Sequence, residues 1–167
     1  MSRQCAKAAG GCCIYRSKPV RLTISVDGAS RGNPGAAGVG VVICDENGSV
    51  LKEISEYIGE TTNNVAEYMA LIRGLEEALA MRADSIHIRT DSELLAFQLT
   101  GTYKVKAPHL RELNESARAL VDKFRAVALS RVDRVENAQA DALAAKAARG
   151  HRPTPKERTI TLKEDKG

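Results

Sequence analysis

The sequence predicts an α/β fold, a mixed five-stranded sheet in which three antiparallel strands come first and two more are reached through helices, all covered by helices. Three observations predict it. Apolar residues alternate with period two through three successive segments near residues 21–57. The period then lengthens to that of an amphipathic helix at 64–80. Beyond it, two short apolar runs are each set between helical segments, which suits strands joined by crossovers.

The elements follow in order. Leu22, Ile24 and Val26 alternate with Thr23, Ser25 and Asp27, a half-buried strand that is expected to end at Asp27, with a turn over 28–35. Residues 37–44 and 50–57 read as a hairpin closed by a turn at Asp45 to Gly48. Val65, Met69, Ile72, Leu75 and Leu79 share one side of the helix predicted at 64–80. "DSIHIRT" (84–90) is a strand leading to Asp91, and 92–100 is a short helix. A long amphipathic helix is predicted over 108–125 through Leu110, Leu113, Ala117, Leu120, Val121 and Phe124. "AVALSRV" (126–132) is the last strand, and "NAQADALAAKAARG" is an alanine-rich helix ending near Gly150.

A chain of 167 residues can bury a core without staples, and no stretch approaches the roughly 20 apolar residues of a membrane span. No secretory signal is read at the start, so a cytoplasmic protein with reduced thiols is expected. Cys5, Cys12 and Cys13 lack the spacing of a zinc site. The net charge of +4 is not evenly spread. Residues 1–20 carry four basic side chains and no acid, and 149–167 carry six against three, which leaves 15 basic and 18 acidic residues between 21 and 148. The expected division is therefore a basic cysteine-containing extension (1–20), a catalytic domain (21–149) and a flexible tail (150–167).

Four acids stand at strand ends and helix starts: Asp27, Glu67, Asp91 and Asp141. Each has a local alternative. Asp27 suits an Asx-type turn, Glu67 suits a capping box begun by Asn64, Asp91 suits the cap of the short helix, and Asp141 suits a helix dipole. Brought together, four carboxylates would repel unless cations neutralised them, and an oxygen-only ligand set favours Mg²⁺ or Mn²⁺ over zinc.

The segments "DGASRGNPG", "TTNNVAEYMALIRGL", "TDSELL" and "NAQADALA" together resemble the four signature segments of the type 1 ribonuclease H family, in the family's order, over roughly residues 21–148. The resemblance implies the ribonuclease H-like fold and places the family's metal-binding acids on Asp27, Glu67, Asp91 and Asp141. It further implies two Mg²⁺ ions, with Mn²⁺ as a substitute, and hydrolysis of the RNA strand of an RNA–DNA hybrid by in-line attack to leave a 5′-phosphate and a 3′-hydroxyl. Asn63, Asn64 and the backbone from Gly28 to Ser30 match the family's ribose and base-edge contacts, while Asn33 and Thr62 match its DNA-phosphate pocket, with helix capping by Thr62 or Asn64 as the local alternative. Gly28, Gly32 and Gly35 are expected to admit a close nucleic-acid strand, to make a tight turn, or both.

Two features depart from the family pattern. The loop before Asp141 has no histidine; Arg131 and Arg134 occupy it, and an arginine helps only through its charge. His87, His109 and His151 lie elsewhere and are read as ordinary residues. The stretch "LTGTYKVKAPHL" is too short for the basic handle of longer relatives, although Lys104 and Lys106 are placed to touch phosphate. The expected partner is an RNA–DNA hybrid, with no membrane and no obligatory protein partner. The alternatives are a non-catalytic hybrid- or RNA-binding module of the same fold, and a metal nuclease with another nucleic-acid substrate.

Overall fold

The computed structural model describes residues 19–150, so the cysteines of the leader, His151 and the expected tail beyond it lie outside the described residues. Strands β1 (Arg21–Ser30), β2 (Gly35–Cys44) and β3 (Val50–Thr61) come first, followed by α1 (Asn63–Ala80) and β4 (Ser85–Thr90). Helices α2 (Glu93–Leu99) and α3 (Pro108–Val121) precede β5 (Ala126–Arg131), and a 3₁₀ turn (Arg134–Asn137) leads into α4 (Ala138–Gly150). The sheet order is β3-β2-β1-β4-β5. β1 is antiparallel to β2 and β2 to β3, whereas β4 runs parallel to β1 and β5 parallel to β4, so the mixed five-stranded sheet is as expected.

Strand β1 does not stop at Asp27. It pairs onward through Gly28, Ala29 and Ser30 with Val39, Gly38 and Ala37, and only residues 31–34 are left to turn. Pairing with β2 satisfies the backbone of that extension, which local turn propensity around three glycines does not anticipate. The turn of the β2–β3 hairpin is as read, although β2 begins at Gly35 and β3 runs on to Thr61: Asp45 Oδ1 accepts from the backbone N–H of Asn47 and of Ser49, both at 2.9 Å, and Gly48 takes φ +85°.

Leu22, Ile24 and Val26 of β1 and Val39, Val41 and Ile43 of β2 form the core with Leu71, Leu75 and Tyr68 of α1. The deepest face of α1 is Ala66, Ala70, Leu71, Gly74, Leu75 and Ala78, so the predicted stripe needs correction: Val65, Met69, Ile72 and Leu79 are only half-buried. The reason is packing on two sides. Small residues let α1 lie close on the sheet, where Gly74 meets Ile24, Val26 and Val41, and the larger side chains flank that contact. Helix α3 ends at Val121 rather than 125; Phe124 is buried from the connection that follows.

Helix α4 covers the opposite face of the sheet. A Cβ at Gly40 would stand 2.1 Å from the Ala140 carbonyl oxygen, and one at Gly38 would stand 2.5 Å from Ala147 Cβ. Glycine on the strand and alanine on the helix therefore bring the two backbones together. This close approach carries Asp141 to the sheet. Among the described residues no helix is long and apolar enough to cross a membrane.

Candidate active site

Asp27 lies inside β1, paired with Gly40, and the alternation of the strand puts it on the α4 side. Asp91 follows Thr90, the last residue of β4, beside β1 in the sheet. Glu67 projects from the second turn of α1, and Asp141 from the first turn of α4. Three local explanations for these acids fail. Helix α1 is capped by Thr62, whose Oγ1 accepts from Val65 N at 3.3 Å, so Asn64 starts no capping box and Glu67 stands beyond its reach. Helix α2 is capped by Ser92, whose Oγ accepts from Leu95 N at 3.2 Å, so Asp91 is not its cap. Asp27 is strand, not turn.

The four carboxyl groups influence one another across the chain. Asp27 is 4% exposed and Glu67 7%. Burial, then the negative charge of Glu67, then a hydrogen bond with Asp141 and the charges of Asp91 and Asp141 push the Asp27 carboxyl up to about 9. Burial and the charge of Asp91 push Glu67 up to about 8, against hydrogen bonds with Asp27, the Gly28 backbone and Asn63 that favour its ionised form. Asp27 thus pairs with Glu67 and with Asp141 by hydrogen bonds and feels the charge of Asp91. A carboxyl with this environment holds its proton at neutral pH unless positive charge enters.

The donor set fits a hard cation. It consists of carboxylate oxygens, and Glu67 Oε2 is buried with no hydrogen-bond partner, an atom whose desolvation a cation would compensate. Among the described residues no group of three or more His, Cys, Asp or Glu side chains is already gathered around a common centre. The acids approach one another in pairs, Asp27 with Glu67 and Asp27 with Asp141.

Sequence reasoning missed Asn137. Its side chain is 1% exposed, and its Nδ2 donates to the Val26 carbonyl at 2.9 Å and to Asp91 Oδ1 at 3.2 Å. The signal was present as the first residue of "NAQADALA", but only the fold shows what the amide reaches. Arg134, in the loop without a histidine, lies with its guanidinium 3.6 Å from Asp141 Oδ1 and is 78% exposed. His87 Nε2 instead pairs with Ser130 Oγ at 2.6 Å on β5.

Several of the remaining sequence-selected residues gather where the 31–34 turn meets the start of α1. Asn33 Oδ1 accepts from Asn63 N at 3.1 Å, which joins the 31–34 turn to the start of α1 and puts Asn33, Thr62, Asn63 and Asn64 in one neighbourhood. Ser30 Oγ donates to the Gly32 carbonyl and stiffens that turn. The glycines have internal reasons. A Cβ at Gly28 would stand 2.2 Å from the Ala66 carbonyl carbon, and one at Gly35 would stand 2.7 Å from Gly32 N, so both answer to crowding within the protein.

Residues 25–147 match the family model described as reverse transcriptase-like. The crystal structure of RNase H1 from the halophilic archaeon Halobacterium salinarum superposes with TM-score 0.77 at 43% identity, over 78% of this chain and 99% of that one. The chain belongs to the type 1 ribonuclease H family. The N-terminal RNase H domain of a bifunctional protein of Mycobacterium tuberculosis aligns similarly, with TM-score 0.75 at 43% identity over 77% of this chain and 99% of that chain. LC11-RNase H1 in complex with an RNA/DNA hybrid aligns with TM-score 0.72 at 45% identity, over 77% of this chain and 97% of that chain. Among curated sequences, ribonuclease HI of Halobacterium salinarum is 46% identical over 74% of this chain. The chain spans 62% of that relative's length and 35% of the full mycobacterial protein. The match covers the ribonuclease H segments noted in the sequence and all four acids, since it runs from 25 to 147.

Proposed function

We propose that this chain is a divalent-metal-dependent endonuclease that hydrolyses the RNA strand of RNA–DNA hybrids, leaving a 5′-phosphate and a 3′-hydroxyl. The observation that supports the reading is a buried Asp27 on β1 that feels Glu67 of α1, Asp91 at the end of β4 and Asp141 of α4, and whose carboxyl is raised by burial and by those charges. The solved complex of LC11-RNase H1 with a hybrid supports the substrate class.

Asp27, Glu67, Asp91 and Asp141 would hold the ions, Mg²⁺ or Mn²⁺ in its place. Two bound ions supply the Lewis acidity that activates a water and stabilises the leaving 3′ oxygen. The side chains themselves fix where the scissile phosphate rests, and the sheet and two helices keep them from spreading. At the start of α1, Asn33 uses its carbonyl oxygen internally, which leaves its NH₂ to donate to a phosphate beside Thr62. Asn63, Asn64 and the Gly28–Ser30 backbone read ribose and base edges, so cleavage is insensitive to sequence and weakens with salt. Arg134 faces the same phosphate from the Asp141 side through charge alone. The catalytic unit is assigned to residues 21–149.

The test is a cleavage assay with labelled hybrid, double-stranded RNA, single-stranded RNA and duplex DNA, each with Mg²⁺, Mn²⁺ or EDTA. Hybrid alone is expected to be cut, with 5′-phosphate products and none in EDTA. Asp91→Asn is expected to bind hybrid and leave it intact. Undiminished cutting by Asp91→Asn, or cutting of duplex DNA in preference to hybrid, refutes the assignment.

A further inference from the structure

We propose that Asn137 is a positioning residue that sets the rotation of the Asp91 carboxylate and locks the start of α4 to β1, so that Asp27, Asp91 and Asp141 keep one relative geometry as metal enters. The inference rests on the nuclease reading in that it takes these acids as the ligands. It concerns a residue that is not itself a ligand.

The geometry allows one orientation of the amide. The Val26 carbonyl can only accept, so the group 2.9 Å from it must be the NH₂. The second N–H of that same NH₂ donates to Asp91 Oδ1 at 3.2 Å. One side chain thereby bridges the peptide immediately before Asp27 and the carboxylate of Asp91, across 111 and 46 residues of sequence. Asn137 also closes the 3₁₀ turn that becomes α4, four residues before Asp141. With one Asp91 oxygen engaged, the other is left for an ion.

A role confined to packing does not account for the residue. Its Oδ1 is buried and has no hydrogen-bond partner, so the amide leaves an acceptor unsatisfied in order to make its two donor contacts. An apolar side chain of similar size would avoid that penalty only by withdrawing the donor from the Val26 carbonyl and from Asp91. Such outer hydrogen bonds to a ligating carboxylate commonly change metal affinity or activity by about 10- to 100-fold when removed.

Asn114 is the internal control. It is likewise a buried asparagine, and its Nδ2 donates to Tyr68 Oη at 3.1 Å and to the Gln98 carbonyl at 3.4 Å, but it touches none of the four acids. The experiment compares Asn137→Ala, Asn137→Ser and Asn114→Ala by Mn²⁺ titration calorimetry on the full chain, by melting in EDTA, and by the kcat and KM of hybrid cleavage. The expected result is Mn²⁺ affinity about 10- to 100-fold weaker in both Asn137 variants. A lowered kcat with KM within about twofold of wild type accompanies it. Asn114→Ala is expected to lose melting temperature and keep its Mn²⁺ affinity. If Asn137→Ala fails to fold, the same comparison is read on Asn137→Ser, whose shorter side chain removes the amide N–H from Asp91 and keeps a polar group in the site. Wild-type Mn²⁺ affinity in the folded Asn137 variants overturns the proposal and leaves Asn137 structural. The nuclease reading fails separately, on wild-type protein that binds Mn²⁺ and does not cut hybrid.

Discussion

Replacing Gly28 by alanine separates two reasons for a glycine at that position. Its added Cβ would lie 2.2 Å from the Ala66 carbonyl carbon, 2.4 Å from Glu67 N and 2.5 Å from Ala66 O, all backbone atoms that no rotamer change can remove. Ordinary contact begins at 3.4 Å, so the helix must retreat by about 1.2 Å, the difference from 2.2 Å. Overpacking of this kind costs about 1–3 kcal/mol. At roughly 4 °C per kcal/mol for a domain of this size, the melting temperature falls by about 4–12 °C. Glu67 is carried away from Asp27 by the same shift, and a displacement of about 1 Å at a reacting centre lowers kcat by about 100-fold. Thermal melts followed by circular dichroism and steady-state cleavage of a labelled hybrid read both effects. Wild-type melting and kcat with a raised KM would refute the packing argument and give the glycine to substrate approach instead.

Asp27 and Glu67 also predict how stability varies with pH. Their folded-state values, about 9 and about 8, lie above the ordinary 3.8 and 4.5, so the stability they confer is complete below about pH 4 and is lost as pH rises toward 8–9, where the folded state must surrender protons it holds. In EDTA the melting temperature of wild type is therefore expected to fall between pH 5 and 9 relative to that of Asp27→Asn, with Mg²⁺ offsetting the fall; parallel wild-type and Asp27→Asn profiles in EDTA would contradict the shifts. Arg134→Ala removes a cation from Asp141 in an exposed pair worth at most about 1 kcal/mol, so the Mg²⁺ needed for half-maximal activity drops by no more than about fivefold while hybrid binding weakens. A higher Mg²⁺ requirement in that variant would show that the arginine assists the ion rather than competing with it.

The amino-acid pattern alone determined the element order and the mixed sheet, and the family resemblance singled out the four acids as candidates. Alternation in Leu22, Ile24 and Val26, the helical spacing after Asn64 and the Asp45–Gly48 turn are local signals, set by the geometry of a few neighbouring residues. Local signals also misled. The end of β1 and the buried face of α1 were read wrongly because each depends on which backbone lies alongside, and of the caps offered for α1 it is Thr62 and not Asn64 that serves, while Ser92 rather than Asp91 caps α2. Only the tertiary structure decided that Gly28 clears the way for Glu67, that Gly38 and Gly40 let α4 bring Asp141 to β1, and that Asn137 joins Val26 to Asp91. The physical reason is separation: those contacts span up to 111 residues of chain, and the burial that raises the Asp27 carboxyl exists only after β1, α1, β4 and α4 have closed around it.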